Sequence, residues 1–193
     1  MKRVFCVVLI ASMIGMVGCG NNIEHTESNE KTTTEAEESK DVIEVLNEEV
    51  SKATYEDFIN LKVGQTYKEV TDLLGEANKY VKSGNKETYV WEGEDGKGIS
   101  VEVDENDVVI SKSQSNLKER GSANVNIDMF NQLQDGMTVE ETQAILGEGK
   151  LTYEQKEDSF VKTMYAYYNE DNSSIILTFR DYKLYSKVKN NLD

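Results

Sequence analysis

Apolar and polar positions follow two different periods along the chain, and each period occurs twice. Between residues 54 and 76 the apolar residues recur about every 3.6 positions, which predicts two short helices. The segments that follow alternate with a period of two, which predicts strands at about 78–83, 87–93, 98–104 and 107–115. The same order returns near residue 130, with strands expected at about 150–156, 160–168, 174–180 and 183–189.

The recurrence is also visible as an internal repeat of the residues themselves. Residues 58–76 read FINLKVGQTYKEVTDLLGE, and residues 130–148 read FNQLQDGMTVEETQAILGE. With a shift of 72 positions the coinciding residues are Phe58 and Phe130, Leu61 and Leu133, Gly64 and Gly136, Thr66 and Thr138, Glu69 and Glu141, Leu74 and Leu146, and Gly75 and Gly147. Such a repeat predicts two copies of one structural unit, at 51–118 and 119–193.

Helix caps explain many of the repeated positions. Thr54 with Asp57, and Thr66 with Glu69, have the spacing at which two side chains satisfy each other's backbone N–H groups at a helix start. Gly75 is placed to end the second helix in the left-handed conformation. The second unit has the equivalent residues Thr138, Glu141 and Gly147.

The offset between equivalent residues of the two repeats grows along the chain. Tyr89 and Tyr165 lie 76 positions apart, which places about four extra residues near 156–159. We expect this insertion in the first hairpin of the second unit, because loops tolerate added residues.

These elements predict an α+β fold. Each unit has two helices followed by a four-stranded antiparallel meander, and a unit of about 70 residues buries only a thin core by itself. We therefore expect the two units to pack side by side as one continuous sheet, with the helices on one face and the other face open.

The first residues have the features of an export signal. Lys2 and Arg3 precede an apolar run at 4–17 that is too short to span about 30 Å of hydrocarbon. The run ends in Met16-Val17-Gly18-Cys19, which resembles a bacterial lipobox, whose cysteine is lipidated and becomes the mature N-terminus. An ordinary cleaved signal with a chance cysteine is the alternative. We expect 1–18 to be a lipoprotein signal peptide and Cys19 to carry acyl chains such as palmitate, which anchor the protein to the extracytoplasmic face of a cell membrane.

The region 19–50 is expected to be an acidic tether. Residues 20–40 have almost no apolar side chains, so they are predicted to be disordered, and the apolar residues between 42 and 50 suggest a short helix. The net charge of the whole chain is −15, and it becomes −17 without Lys2 and Arg3. This charge argues against nucleic acid as a partner and against attraction to anionic lipids.

Residues for common catalysis and metal binding are scarce. The only histidine is His25, in the predicted tether, and the only cysteines are Cys6 and Cys19. Ser–His, Cys–His and common zinc sites are therefore not expected in the folded part. The run from Asp104 to Asp107 lacks the spacing of an EF-hand loop and is predicted to be a turn. We expect no enzymatic activity, no cofactor and no metal.

The aromatic residues are the best candidates for a binding surface, because tyrosine and tryptophan are frequent in binding hot spots. Tyr89 and Trp91 share one face of a predicted strand, and Tyr165 and Tyr167 share one face of its counterpart. These four residues either belong to the binding surface or face the helices as core. Residues outside that twin pattern are the better surface candidates, namely Tyr168, Tyr182 and Tyr185.

The repeated stretches Gly64-Gln65-Thr66 and Gly136-Met137-Thr138, each followed by a glutamate and a Leu-Gly pair, resemble a known family. The arrangement is similar to the tandem-repeat fold of the β-lactamase inhibitory proteins, and also to the small outer-membrane assembly lipoproteins of the SmpA/OmlA (BamE) type. In the inhibitor family an open concave sheet grips a loop and helix of a β-lactamase. The family has a disulfide in each repeat and is secreted free, and this chain departs from both features.

Taken together, the resemblance and the tether imply a membrane-anchored lipoprotein that binds an envelope protein, with a β-lactamase or a penicillin-binding protein as candidate partners. Two alternatives remain open. One is an envelope assembly or scaffolding lipoprotein. The other is a binder of small ligands or peptidoglycan fragments, or a hydrolase that uses carboxylates alone.

Overall fold

The computed structural model describes residues 42–118, 121 and 123–192. In this part of the chain four α-helices, one short 3-10 helix (Glu94–Gly96) and nine strands are found. The helices are α1 (Tyr55–Asn60), α2 (Tyr67–Leu74), α3 (Ile127–Gln132) and α4 (Val139–Leu146). The strands are β1 (Val42–Val45), β2 (Lys79–Ser83), β3 (Lys86–Glu92), β4 (Gly98–Val103), β5 (Val109–Ser115), β6 (Lys150–Lys156), β7 (Val161–Tyr168), β8 (Ser174–Arg180) and β9 (Lys183–Asn190). The predicted signal peptide, Cys19 and the tether at 20–40 lie outside the described residues.

All nine strands form one antiparallel sheet in chain order, from β1 to β9. The α+β class is therefore confirmed. Eight of the strands correspond to those expected from the period-two segments, with ends that differ by at most two residues. The origin of the two halves as repeat units stays a prediction. None of the helices in the described part is long and apolar enough to cross a membrane.

The ninth strand corrects one expectation. The short helix predicted between 42 and 50 is wrong, because Val42–Val45 pairs with β2 as an antiparallel edge strand. Three of its four residues are β-branched and favour strands. All four are exposed, so a helix here would have had no core on which to bury an apolar face.

The predicted caps are present. Thr54, Thr66 and Thr138 begin α1, α2 and α4 as capping boxes. In α2, for example, the Thr66 backbone N–H donates to the Glu69 carboxylate at 2.8 Å. Gly75 ends α2 with φ 75° and ψ −171°, so its positive φ was foreseen but its extended ψ lies outside the left-handed helical region that we expected.

The expected insertion is divided between a loop and a strand. The loop at 157–160 connects β6 and β7, whereas only residues 84–85 connect β2 and β3. In addition, β6 has 7 residues where β2 has 5, and the register of β6 shifts between Leu151 and Tyr153. The offset between the two repeats identified the correct hairpin, but we expected all of the extra residues in its loop.

The core lies between the helices and one face of the sheet. Alternate residues of β4 and β8 point into it and are almost completely buried: Ile99, Val101, Val103, Ile175, Leu177 and Phe179. In the first half they pack with Phe58, Leu61 and Val70 from α1 and α2. In the second half they pack with Leu133 and Leu146 from the α3–α4 region. The helices therefore cover one face of the sheet.

In each half, one buried or half-buried lysine caps the C-terminal end of the first helix. Lys112 Nζ donates to the carbonyls of Phe58 and Leu61 at 3.0 and 2.6 Å. Lys187 Nζ donates to the carbonyls of Phe130 and Leu133 at 3.1 and 2.7 Å. The last carbonyls of a helix have no hydrogen-bond donor within the helix. Each lysine donates to two of these carbonyl groups.

Candidate binding face

The strand residues that alternate with the core residues form the opposite side of the sheet, which we call the open face. Two rows of cross-strand neighbours define it. One row contains Thr88, Glu102, Ser111, Gln155, Lys162 and Arg180, and the other contains Val90, Ser100, Ser113, Tyr153, Met164, Thr178 and Ser186. Both rows contain small polar residues on several strands, and the two cations in these rows, Lys162 and Arg180, lie on β7 and β8.

Two of the predicted surface aromatics belong to the core. Trp91 is 1 % exposed, and its indole N–H donates to the Gly75 carbonyl at 3.0 Å. Tyr167 is 2 % exposed, and burial raises the pKa of its hydroxyl to about 12. A Cβ at Gly149 would lie 2.5 Å from the Tyr167 ring, so glycine leaves room for this tyrosine. The expectation that Trp91 and Tyr167 contribute to a binding surface is wrong.

Tyr89 and Tyr165 also face the helices, although both are only half-buried. The Tyr89 ring stacks on Tyr67 with 3.9 Å between centroids. The Tyr165 ring meets Phe179 edge to face at 5.6 Å. Both rings thus join the packing between helices and sheet, and the core alternative explains all four twin aromatics.

The other three predicted tyrosines are accessible but do not lie together. Tyr182 and Tyr185 are 54 % and 55 % exposed, in the β8–β9 turn and at a register shift of β9. Tyr168 is half-buried and pairs with Ser174 at the far end of β8. Tyr185 joins a larger group of side chains on the open face.

That group is a cluster of cations and aromatic rings, which we call the cationic cluster: Tyr153, Phe160, Lys162, Arg180 and Tyr185. The Arg180 guanidinium carbon lies 3.6 Å from the Tyr185 ring centroid and 4.8 Å from that of Phe160. Lys162 Nζ lies 5.6 Å from the Tyr153 ring centroid. Distances of this size are typical of cation–π interactions.

A recess of about 300 Å³ opens within the cluster. Phe160, Lys162, Arg180 and Tyr185 line it together with Glu157, Thr178 and Ser186. Sequence reasoning missed Lys162, Met164 and Arg180. Tyr165 and Tyr167 share one face of the predicted strand, so period-two counting would have put Met164 and Lys162 together on the opposite face.

A larger recess of about 670 Å³ lies at the tips of the β2–β3 and β4–β5 hairpins. Two of its carboxylates serve the local structure. The Lys82 ammonium lowers the pKa of the Glu87 carboxyl, and the backbone N–H groups of Val108 and Asn106 lower the pKa of Asp104. A general acid needs a raised pKa, so these two groups are poorly suited to that role. No cluster of metal-ligating side chains is found among the described residues.

Comparison with known proteins connects this fold to a family. A family model described as beta-lactamase inhibitor (BLIP) matches residues 54–167, which is more than half of the chain. The crystal structure of a candidate beta-lactamase inhibitor protein from Streptococcus mutans is similar, with a TM-score of 0.56 and 19 % sequence identity over 72 % of this chain and 95 % of that one. At this identity the likeness concerns the fold alone. No curated protein matches the chain.

Proposed function

Because the chain belongs to the beta-lactamase inhibitor (BLIP) family, we propose that it is a non-enzymatic protein-binding module that uses its open face. The observation that carries this proposal is the continuous sheet whose helices pack on one side only. The residues on the other side combine small polar groups with Met164 and with the cationic cluster, which includes Tyr153. Such a mixture suits a protein surface better than it suits a reaction centre.

The location is the second part of the proposal. The lipobox-like Cys19 would carry acyl chains that hold the protein on the extracytoplasmic face of the cell membrane. The tether would keep the sheet away from the bilayer. Fractionation of cells that express the chain or its Cys19→Ser variant tests this, and we expect the variant to leave the membrane fraction. An unchanged distribution would contradict a lipid on Cys19.

The proposed partner is an envelope protein, with β-lactamases and penicillin-binding proteins as the classes to examine first. The relative from Streptococcus mutans is described as a candidate β-lactamase inhibitor. The structure does not rely on disulfides in its described part, because that part contains no cysteine. Binding by this chain would therefore depend on a sheet that packing alone stabilises.

Binding of the purified full-length chain to a panel of β-lactamases and penicillin-binding proteins, together with nitrocefin hydrolysis, tests the proposal. Met164→Glu places a charge at an apolar position of the open face and should weaken binding by roughly tenfold or more. Leu73→Glu is the matched control, because it makes the same kind of change on an exposed position of α2 and should leave binding intact. Equal effects of the two variants, or a folded chain that binds no panel member, would count against the proposal.

A further inference from the structure

We infer that Lys162 and Arg180 bind a carboxylate side chain on an exposed loop of the protein partner. This inference depends on the proposed function and adds the chemistry that the partner must present. It assigns the cationic cluster as the charged contact of the open face. The partner is therefore expected to carry an aspartate or glutamate next to apolar or aromatic residues.

The first argument is the position of the two cations. Lys162 on β7 and Arg180 on β8 are direct cross-strand partners. Like charges placed directly opposite each other destabilise a sheet. The fold gains nothing evident from this pair, and the chain has an excess of acidic residues from which a neutralising partner could have come. An unfavourable local arrangement of this kind is typical of a binding site.

The second argument is that two other cations on the open face already have carboxylate partners. Lys79 forms an ion pair with Glu92, and Lys86 forms one with Glu102 at 3.2 Å. Among the ion pairs of the described residues none includes Lys162 or Arg180. Glu157 lines the same recess without forming an ion pair with either cation. Lys162 and Arg180 therefore differ from Lys79 and Lys86, because they form no ion pair among the described residues.

The third argument is preorganisation by aromatic rings. Arg180 lies against Tyr185 and Phe160, and a guanidinium that stacks on aromatic faces keeps its edge N–H groups for another acceptor. A carboxylate can accept two parallel N–H bonds from such an edge. These ring contacts reduce the side-chain entropy that Arg180 would lose on binding.

The shape of the cluster favours a protein loop over a free anion. The recess is walled by the rings of Phe160 and Tyr185 as well as by the two cations. A free carboxylate or phosphate would use the charges and leave these rings in water. An acidic residue with apolar neighbours would cover both, and tyrosine and arginine are the residues most enriched in such hot spots.

Two cyclic nonapeptides provide the test, one with a glutamate between two aromatic residues and the other with glutamine in its place. Fluorescence anisotropy measures their binding to the full-length chain in neutral detergent. We expect the glutamate peptide to bind roughly tenfold more tightly than the glutamine peptide. Arg180→Ala should remove this preference, so that both peptides bind equally weakly. Added salt should weaken only the glutamate peptide.

Lys86→Ala is the matched control, because it removes one positive charge from the same face at a position that is already paired. It should leave the preference for glutamate unchanged. The inference is overturned if both peptides bind alike, if neither binds at about 1 mM, or if Lys86→Ala acts as strongly as Arg180→Ala. Displacement of the peptide by acetate or inorganic phosphate at equal concentration would assign a free-anion site instead.

The same variants separate this inference from the proposed function. If Met164→Glu abolishes binding to an envelope protein but Arg180→Ala does not, the open face is the binding surface and only the acidic contact is wrong. If neither substitution affects binding to that protein, the open face itself is not the site.

Discussion

At the scale of single residues, the polar groups inside the fold are as informative as the apolar ones. Lys112 is only 1 % exposed, yet it contacts the carbonyls of Phe58 and Leu61 and lies 3.3 Å from the Glu154 carboxylate. Burial lowers the pKa of the Lys112 ammonium, and Glu154 acts in the opposite direction. Since Glu154 lies on β6, this lysine joins α1 of the first half to the first strand of the second.

Lys112→Met should lower the free energy of unfolding by about 3 kcal/mol, because it leaves two helix-end carbonyls and a half-buried carboxylate without their charged partner. Urea denaturation at neutral pH measures the change. Lys187→Met is the control, since Lys187 makes the same two bonds in a more exposed position, and its loss should be smaller. The double variant Lys112→Met/Glu154→Leu should recover part of the stability. A Lys112→Met protein as stable as Lys187→Met would refute this interpretation.

At the scale of elements, the helices are too short to be stable alone. They have 6 or 8 residues, and isolated helices of that length are marginal in water. Their caps and their packing on the sheet must hold them. In α2, the backbone N–H and the hydroxyl of Thr66 lower the pKa of the Glu69 carboxyl below its ordinary value of 4.5. The ionised form of Glu69 is therefore the one that stabilises the helix start.

This cap makes a pH-dependent contribution to stability. Because the pKa of Glu69 is lower in the folded state, the contribution is complete above pH 4.5 and is lost as the pH falls through the folded value. Glu69→Gln should be less stable than the wild type at pH 7, and the difference should close as the pH is lowered from 4.5 towards 2. Urea midpoints across this range measure it. Glu48→Gln, outside every helix and strand, should show no such convergence, and a constant gap for Glu69→Gln would contradict the prediction.

At the scale of the whole molecule, the two halves share structure across a narrow junction. The β5–β6 ladder has only three residue pairs, Ser111 to Ser113 against Tyr153 to Gln155. Other contacts strengthen it. The Leu151 backbone N–H donates to the Tyr55 hydroxyl at 2.8 Å, and the Leu151 side chain belongs to the core cluster of the first half. Tyr165 packs against both clusters. The halves should therefore unfold together.

A destabilising substitution in one half should therefore also lower the urea midpoint measured in the other half. Leu177→Ala creates a cavity in the core of the second half and should destabilise the protein by about 2–5 kcal/mol. Trp91, the only tryptophan, reports on the first half through its fluorescence. We expect its urea midpoint to shift as far as the midpoint from far-ultraviolet circular dichroism, as two-state unfolding requires. A tryptophan transition that stays in place while the dichroism transition moves would show independent halves.

Much of the fold follows from interactions that are local in the chain. A cap such as Thr66 with Glu69 spans four residues, and strand periodicity spans five to eight, so both can be recognised without tertiary contacts. The sequence alone therefore determined three of the four α-helix starts, eight strands and the α+β class. The edge strand β1 was missed because its pairing partner, β2, lies more than thirty residues away.

Only the tertiary structure decided which set of alternate side chains on each strand faces the helices, and which residues of neighbouring strands pair with each other. Period-two alternation shows that Tyr89 shares a face with Trp91, but it does not show that this face meets the helices, since that depends on packing between distant elements. The same holds for Lys162 and Arg180, which become neighbours only through the register of β7 and β8. Burial and pairing are non-local properties, and for this reason the cationic cluster emerged from the folded sheet and not from the order of its residues.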